Sequence, residues 1–121
     1  MEENSNSAKP YDLTAINQLC ENNKPFMAKL LAVFKEATAA DLEALKTAAG
    51  QGDWAEVAGL AHKMKASIAH FGVTSLKEPL KDLEHPGNSD PQYLKSLVNK
   101  VESVVQDVFA HLAQEFPEVF G

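Results

Sequence analysis

The stretch from residue 53 to residue 72 has the periodicity that most restricts how this chain can fold. Its apolar side chains recur at steps of three and four residues, the spacing of one face of an amphipathic helix. They are Trp54, Val57, Ala61, Met64, Ile68 and Phe71. Asp53 followed by Glu56 is typical of a capping box at a helix start, and Gly72 is typical of a residue that ends a helix. The stretch therefore predicts a helix that buries one side in a core.

His62 lies on the other side of that helix. At about 100° per residue it points roughly 140° away from the centre of the apolar stripe, so we expect the imidazole to be exposed. The residues around it on this face are short except for one lysine; they are Ala55, Ala58, Gly59, Lys65, Ala66 and Ala69. Such a surface lets another macromolecule approach the histidine closely. The alternative is an ordinary surface histidine among alanines that only favour helix.

Length and composition limit the class of protein. The 121 residues suffice for one domain with a single core, and no apolar run is long enough to span a bilayer. The single cysteine, Cys20, cannot form an internal disulfide, and residues 1–7 lack a secretory pattern, so we expect a cytoplasmic protein. We also expect a monomer. The net charge of -6 argues against nucleic acid or an anionic membrane as the partner.

The chain divides into a polar segment and one domain. We expect residues 1–10 to be a flexible tail and residues 11–121 to form a single helical domain. A short helix is predicted after Asp12, which we expect to cap it. A second helix, with Pro25 in its first turn, extends to the glycines at 50 and 52, with a possible bend between Thr38 and Asp41.

Two further helices follow the helix that carries His62. Ser75 with Glu78 predicts a second capping box before a short helix, which Pro79 could distort because it removes a backbone hydrogen bond. Asp90 and Pro91 predict the start of a long last helix. No strand pattern competes with these helices. The sequence therefore predicts an all-α fold, an antiparallel four-helix bundle with a short N-terminal lid helix.

The surroundings of His62 are basic, although the chain as a whole is acidic. The stretch from His62 to Lys81 contains four lysines but only one acidic residue, Glu78. The lysines are Lys63, Lys65, Lys77 and Lys81. One interpretation is a docking patch for an acidic partner or a phosphoryl group, and the other is a chance cluster of surface lysines.

Most kinds of catalytic or ligand site find no support in the sequence. No two of the four histidines are three or four residues apart, and no glycine-rich loop of the phosphate-binding kind is present. Spacing leaves a Ser/His/Asp or Cys/His arrangement open, but nothing marks Ser67 or Cys20 as activated. Phosphoryl transfer through a neutral imidazole needs only a cation such as Lys65 nearby and an acceptor for the second ring nitrogen.

The segment Ala61-His62-Lys63-Met64-Lys65-Ala66-Ser67, followed by Gly72 and by Leu76 and Leu83-Glu84, resembles the histidine-containing phosphotransfer (HPt) domains of bacterial multistep phosphorelays. The resemblance covers residues 11 to about 116, with the motif at 61–84. It implies that His62 accepts phosphate from an aspartate of a receiver domain and returns it to one. Lys65 matches the lysine beside the phosphate, Gly72 the glycine at the helix end, and Glu84 the residue that often orients the histidine ring.

The resemblance also implies the partners and the docking surface. The partners would be response-regulator receiver domains and a hybrid sensor histidine kinase, with Mg²⁺ on the receiver and no cofactor on this chain. The protein would be a phosphocarrier without kinase activity of its own. The expected docking residues are Ala58, Gly59, Lys63, Ala66, Ala69, Lys77 and Lys81. Ala66 departs from the family, which usually has glycine there.

Two other classes of function remain open from the sequence. One is the dimerising histidine domain of a sensor kinase, although such domains usually have an acidic residue where this chain has Lys63, and no ATP-binding module is present. The other is an inert helical module in which only the docking face matters. The polar segment that starts at Met1 favours a free-standing protein over a piece of a hybrid kinase.

Overall fold

The computed structural model describes residues 9–120 of the chain, so most of the tail expected at 1–10 lies outside the described residues. The helices are α1 (Thr14–Cys20), α2 (Lys24–Gly50), α3 (Trp54–His70), α4 (Lys77–Glu84), α5 (Pro91–Glu115) and α6 (Pro117–Phe120). A 3-10 turn, Thr74–Leu76, precedes α4, and the described part of the chain contains no strand. The all-α prediction is confirmed.

Helices α2 to α5 form a closed four-helix bundle in which each helix packs against two neighbours. The N–H of Asp53, just before α3, donates to the carbonyl of Ala48 near the end of α2, at 2.9 Å. Phe71 at the end of α3 stacks on Phe34 in the first half of α2, with ring centroids 4.1 Å apart. Since the end of each helix lies beside the start of the other, α2 and α3 are antiparallel, and the predicted bundle is confirmed.

Side chains at the helix starts hold orphan backbone donors. The carboxylate of Asp53 accepts from the N–H of Glu56 at 3.2 Å, and that of Asp90 accepts from the N–H of Gln92 at 2.8 Å. Only half of the first capping box is present, because the Asp53 N–H is already engaged with α2. Helix α2 is continuous for 27 residues, without the interruption considered at 38–41.

Two predicted caps are wrong. Ser75 and Glu78 make no capping box, because the chain forms a 3-10 turn there and α4 begins only at Lys77, without a side-chain cap. Pro79 is then the third residue of α4, where a backbone N–H has no partner within the helix, so its ring is tolerated. Asp12 lies one residue too early to be the N-cap of α1, which is Leu13; its carboxylate accepts instead from the N–H of Thr14, at 3.0 Å.

The core is built from the inward face of every bundle helix. On α3 the predicted stripe is buried except for Trp54, which is only partly covered; the buried members are Val57, Ala61, Met64, Ile68 and Phe71. Each large apolar side chain in this core contributes about 1.5–3 kcal/mol before the loss of chain entropy. Since the core uses one side of α3, the opposite side, with His62, faces outward.

The N-terminal segment closes one end of the bundle. Tyr11 is buried and donates its hydroxyl proton to Glu115 at the end of α5, at 2.5 Å. Ile16 of α1 is buried, and the backbone of Asp12 packs against Gly72, just past the end of α3. The segment thus crosses the end at which α3 and α5 stop and α2 starts, which confirms the predicted lid.

Candidate functional site

His62 lies in the middle of α3 with 71% of its side chain exposed. Its Nδ1 is within hydrogen-bonding distance of Oε2 of Glu84, the last residue of α4. The two residues are 22 positions apart in sequence and meet because α4 folds back along α3 after the turn at 71–76. The contact holds the Nδ1 edge of the imidazole. Nε2 lies on the opposite edge of the ring, which Glu84 does not contact.

Glu84 holds two groups with one carboxylate. Its Oε1 pairs with the ammonium of Lys65 while its Oε2 contacts His62, and its side chain is only 13% exposed. The hydrogen bond from Lys65 and, after it, the hydrogen bond from His62 hold the pKa of Glu84 below the ordinary value of a glutamate. An ionised carboxylate only accepts, so Nδ1 of His62 carries the hydrogen, and a neutral ring has its lone pair on Nε2.

Lys65 lies where the sequence placed it, one turn after His62, but its ammonium contacts Glu84. The pairing brings the ammonium to the carboxylate that also holds the imidazole. His85 also approaches this carboxylate, with Nε2 3.9 Å from Oε1 of Glu84, and was not among the predicted site residues. The sequence signal for it was adjacency to Glu84, which alone does not show where a side chain points.

The surface around His62 consists of short side chains. Gly59, Ala66 and Ala69 are exposed, and Ala58 is half-buried. A Cβ added at Gly59 would meet no atom within 4 Å, so this part of the face is open. The imidazole therefore projects beyond the short side chains that surround it.

Lys63 is 67% exposed, but its ammonium is held by Asp41 of α2, at 3.0 Å. Sequence reasoning missed Asp41, because a lone aspartate on α2 shows no relation to Lys63 until the two helices are packed. Lys77 and Lys81 are exposed on α4, and helical spacing puts both on the flank that also carries Glu84. The lysines predicted for docking thus lie on both sides of the face that His62 occupies.

The site lies at the exposed surface of α3. A cleft of about 1010 Å³ lies at the lid end, lined by residues such as Asn17, Lys24 and Ser75, and neither His62 nor Glu84 borders it. Among residues 9–120, no cluster of three His, Cys, Asp or Glu side chains could hold a metal ion. No helix in the same part of the chain is long and apolar enough to cross a membrane.

Comparison with protein families identifies the family of this chain. The model of the Hpt domain family matches residues 29–115, which is well over half of the chain and includes His62, Lys65 and Glu84. The chain therefore belongs to the Hpt domain family, whose members carry out phosphotransfer in phosphorelays and interact with receiver domains and kinases. Comparisons with curated proteins and with solved structures found no match.

Proposed function

We propose that this protein is a phosphorelay intermediate that accepts a phosphoryl group on Nε2 of His62 from the aspartate of one receiver domain and passes it to the aspartate of another. The observation that carries the proposal is the exposed imidazole whose Nδ1 is held by Glu84. That contact selects the tautomer in which Nε2 has the lone pair, on the side of the ring that faces away from the anchor.

The transfer needs one bond to form and one to break. The Nε2 lone pair attacks phosphorus while the bond between phosphorus and the aspartyl oxygen breaks, and the receiver's carboxylate leaves with that electron pair. The ring keeps its Nδ1 proton and becomes positively charged, and the Glu84 carboxylate stabilises this charge. The reverse step follows the same path, so a second receiver aspartate can take the phosphoryl group.

Lys65 stabilises the phosphoryl group in this proposal. Its ammonium starts on Oε1 of Glu84, within one helical turn of the imidazole. A doubly charged phosphoryl group on Nε2 competes with Glu84 for this ammonium, because a charge-assisted hydrogen bond to phosphate is strong. Lys65 would then bridge the carboxylate and the phosphoryl oxygens. The Mg²⁺ that phosphoryl transfer requires is expected on the receiver and not on this chain.

The low face around His62 allows the receiver to approach. The aspartyl phosphate belongs to a separate folded domain, so the imidazole can reach it only when the surfaces around the two groups come into close contact. The short alanines and Gly59 permit this approach. The proposed docking residues are those predicted from the sequence, namely Ala58, Gly59, Lys63, Ala66, Ala69, Lys77 and Lys81.

The test is incubation of the protein with ³²P-labelled receiver domains from the same genome. We expect at least one receiver to lose its label to this chain, as an acid-labile and base-stable phosphate on His62. His62→Gln is the control. If no receiver transfers phosphate, the chain is an inert docking module, whereas labelling by ATP alone would indicate the histidine domain of a sensor kinase.

A further inference from the structure

His85 is the second histidine that the fold brings to the carboxylate of Glu84. Its Nε2 lies 3.9 Å from Oε1 of Glu84, and 72% of its side chain is exposed. A hydrogen bond from nitrogen to oxygen spans about 2.7–3.2 Å, so a shift of roughly 1 Å brings this ring into bonding distance. In the unphosphorylated protein Oε1 already accepts from the ammonium of Lys65. His85 thus lies next to an oxygen that another donor holds.

The backbone fixes the position of His85. The residue is the C-cap of α4, and its N–H donates to the carbonyl of Lys81 at 3.1 Å. Pro86 follows, and a proline disfavours the helical conformation of the residue before it. His85 accordingly has a φ of −126°, and the helix ends there. The carbonyl of Pro86 then accepts from the N–H of Ser89 at 2.9 Å, which closes a turn directly after the histidine. The side chain therefore starts from a defined point at the edge of the site.

Phosphorylation of His62 changes which donors Glu84 can use. Without phosphate, its Oε2 is held by His62 and its Oε1 by Lys65. In the proposed function Lys65 turns toward the phosphoryl oxygens, which weakens its hold on Oε1. The side chain of Glu84 is only 13% exposed, so water compensates this loss incompletely. The ring of His62 is then positively charged and depends most on the carboxylate. A second donor on Oε1 would keep the carboxylate in place at that stage.

The contacts of Glu84 show which side chain can supply that donor. In the described part of the chain, the basic nitrogens within 4.0 Å of its carboxylate belong to His62, Lys65 and His85. His62 occupies Oε2, and Lys65 is drawn toward the phosphoryl group, so His85 is the donor left for Oε1. An imidazole with a hydrogen on Nε2 can donate there whether the ring is neutral or charged. Its large exposure leaves the ring free to make the short movement.

We infer that His85 is a positioning residue of the phosphorylated state. Its Nε2–H donates to Oε1 of Glu84 when Lys65 turns to the phosphoryl group, and the carboxylate stays on Nδ1 of His62. His85 touches none of the reacting atoms and acts through Glu84. The inference rests on the proposed function, because it requires phosphate on His62, and it adds to that site a residue that the sequence motif did not indicate.

The experiment measures the lifetime of phosphate on His62 after labelling with phosphoramidate, a small phosphoryl donor that needs no docking. It compares His85→Leu, which removes the donor, with His85→Gln, whose amide restores one. His70→Leu is the matched control, because His70 is also an exposed histidine but is the last residue of α3. We expect His85→Leu to shorten the lifetime about fivefold, as for the loss of one hydrogen bond of ordinary strength. The other two variants should stay within about twofold of the wild type.

Two further measurements separate positioning from a structural role. In a Glu84→Ala background, His85→Leu should shorten the lifetime no further, because His85 acts through Glu84. In ¹⁵N NMR spectra of the phosphorylated protein, the Nδ1–H of His62 should exchange with solvent faster in His85→Leu than in the wild type. Without phosphate the two should be equal, because Lys65 then holds Oε1. A merely structural role would lower the melting temperature and would not be restored by glutamine.

The outcomes separate the inference from the proposed function. If His85→Leu keeps the wild-type lifetime, or if His85→Gln is as short-lived as His85→Leu, the inference is wrong and the proposed function stands. The same holds if His85→Leu has its full effect in the Glu84→Ala background. If phosphoramidate labels His62 but no receiver transfers phosphate, the proposed function is wrong, and the lifetimes still decide the inference. If His62 takes phosphate from neither source, both are wrong.

Discussion

Gly59 lies within α3 and Gly72 lies just past its end, and the two glycines serve opposite purposes. A Cβ added at Gly59, on the face of His62, would meet no atom within 4 Å. A Cβ at Gly72, at the lid end, would lie 2.8 Å from the carbonyl carbon of Asp12 and closer still to its oxygen. Gly72 also has a φ of +72°, which a residue with a side chain rarely adopts. One glycine leaves space for a partner, and the other lets two backbone segments of this chain touch.

The two regions differ in the same way throughout. At the lid end Glu115 holds both Tyr11 and Lys9, and buried side chains such as Ile16 fill the space under α1. On the face of His62 the short side chains are exposed to solvent. The Glu84 carboxylate there is held by His62 and Lys65. Substitutions at the lid end should therefore change stability, and substitutions on the open face should change transfer.

The largest expected effect on transfer is that of His62→Gln. The variant should take up no phosphate from any receiver, while its melting temperature stays nearly that of the wild type, because the side chain is exposed. Transfer assays and thermal melts check this. Uptake that persists in the variant, for example at His70, would move the acceptor to another residue.

The largest expected effect on stability is that of Gly72→Ala. The strained φ and the collision with Asp12 should together cost about 2–4 kcal/mol of unfolding free energy. Gly59→Ala is the matched control and should gain roughly 0.5–1 kcal/mol from helix propensity. Urea unfolding of both variants measures the difference. Equal stabilities would show that the lid does not pack closely on Gly72 in solution.

Substitutions of Ala66 test whether transfer requires short side chains around His62. Ala66→Arg and Ala66→Gln should keep the fold and slow transfer from a receiver about tenfold or more, because a long side chain stands between the partner and His62. Ala66→Gly should keep transfer and lose roughly 0.5–1 kcal/mol of stability. If the bulky variants transfer as fast as the wild type, the short residues around His62 are only helix formers.

Lys65→Ala should have a smaller effect than removal of the acceptor. We expect transfer to slow and the lifetime of the phosphohistidine to shorten, because the phosphoryl charge loses the lysine one helical turn away. Stability should change by no more than about 0.5 kcal/mol, since Lys65 is a partly exposed helix residue. Single-turnover transfer and chemical denaturation measure the two quantities. An unfolded variant, or one with unchanged kinetics, would exclude this role.

The smallest effect concerns the pH dependence of stability. The pKa of Glu84 is lowered in the folded protein by Lys65 and then by His62. Its ionised form thus stabilises the fold above the pKa of an unfolded glutamate, about 4.3, and this contribution disappears as the pH falls through the lower folded value. Glu84→Gln should flatten that part of the curve of melting temperature against pH. An unchanged curve would show that Glu84 is not held by these partners in solution.

Much of the architecture followed from local rules. The three-and-four spacing of apolar residues located α2, α3 and α5, and the caps at Asp53 and Asp90 located two helix starts. The cap predicted at Ser75 was wrong, because a sequence motif does not show whether the first turn after a loop is α or 3-10. Local signals therefore determined the helices better than the connections between them.

In the candidate site, too, some features followed from the local sequence and others depended on how the helices pack. The outward direction of His62 followed from sequence alone, because the rotation per residue within one helix is constant. The ties between Glu84, Lys65 and His62, and between Asp41 and Lys63, required the tertiary structure. Each joins side chains 19 or 22 residues apart, and their meeting depends on the phase and register in which two helices pack. The fit of Gly72 against Asp12 has the same origin, since only the folded chain brings those two backbone segments together.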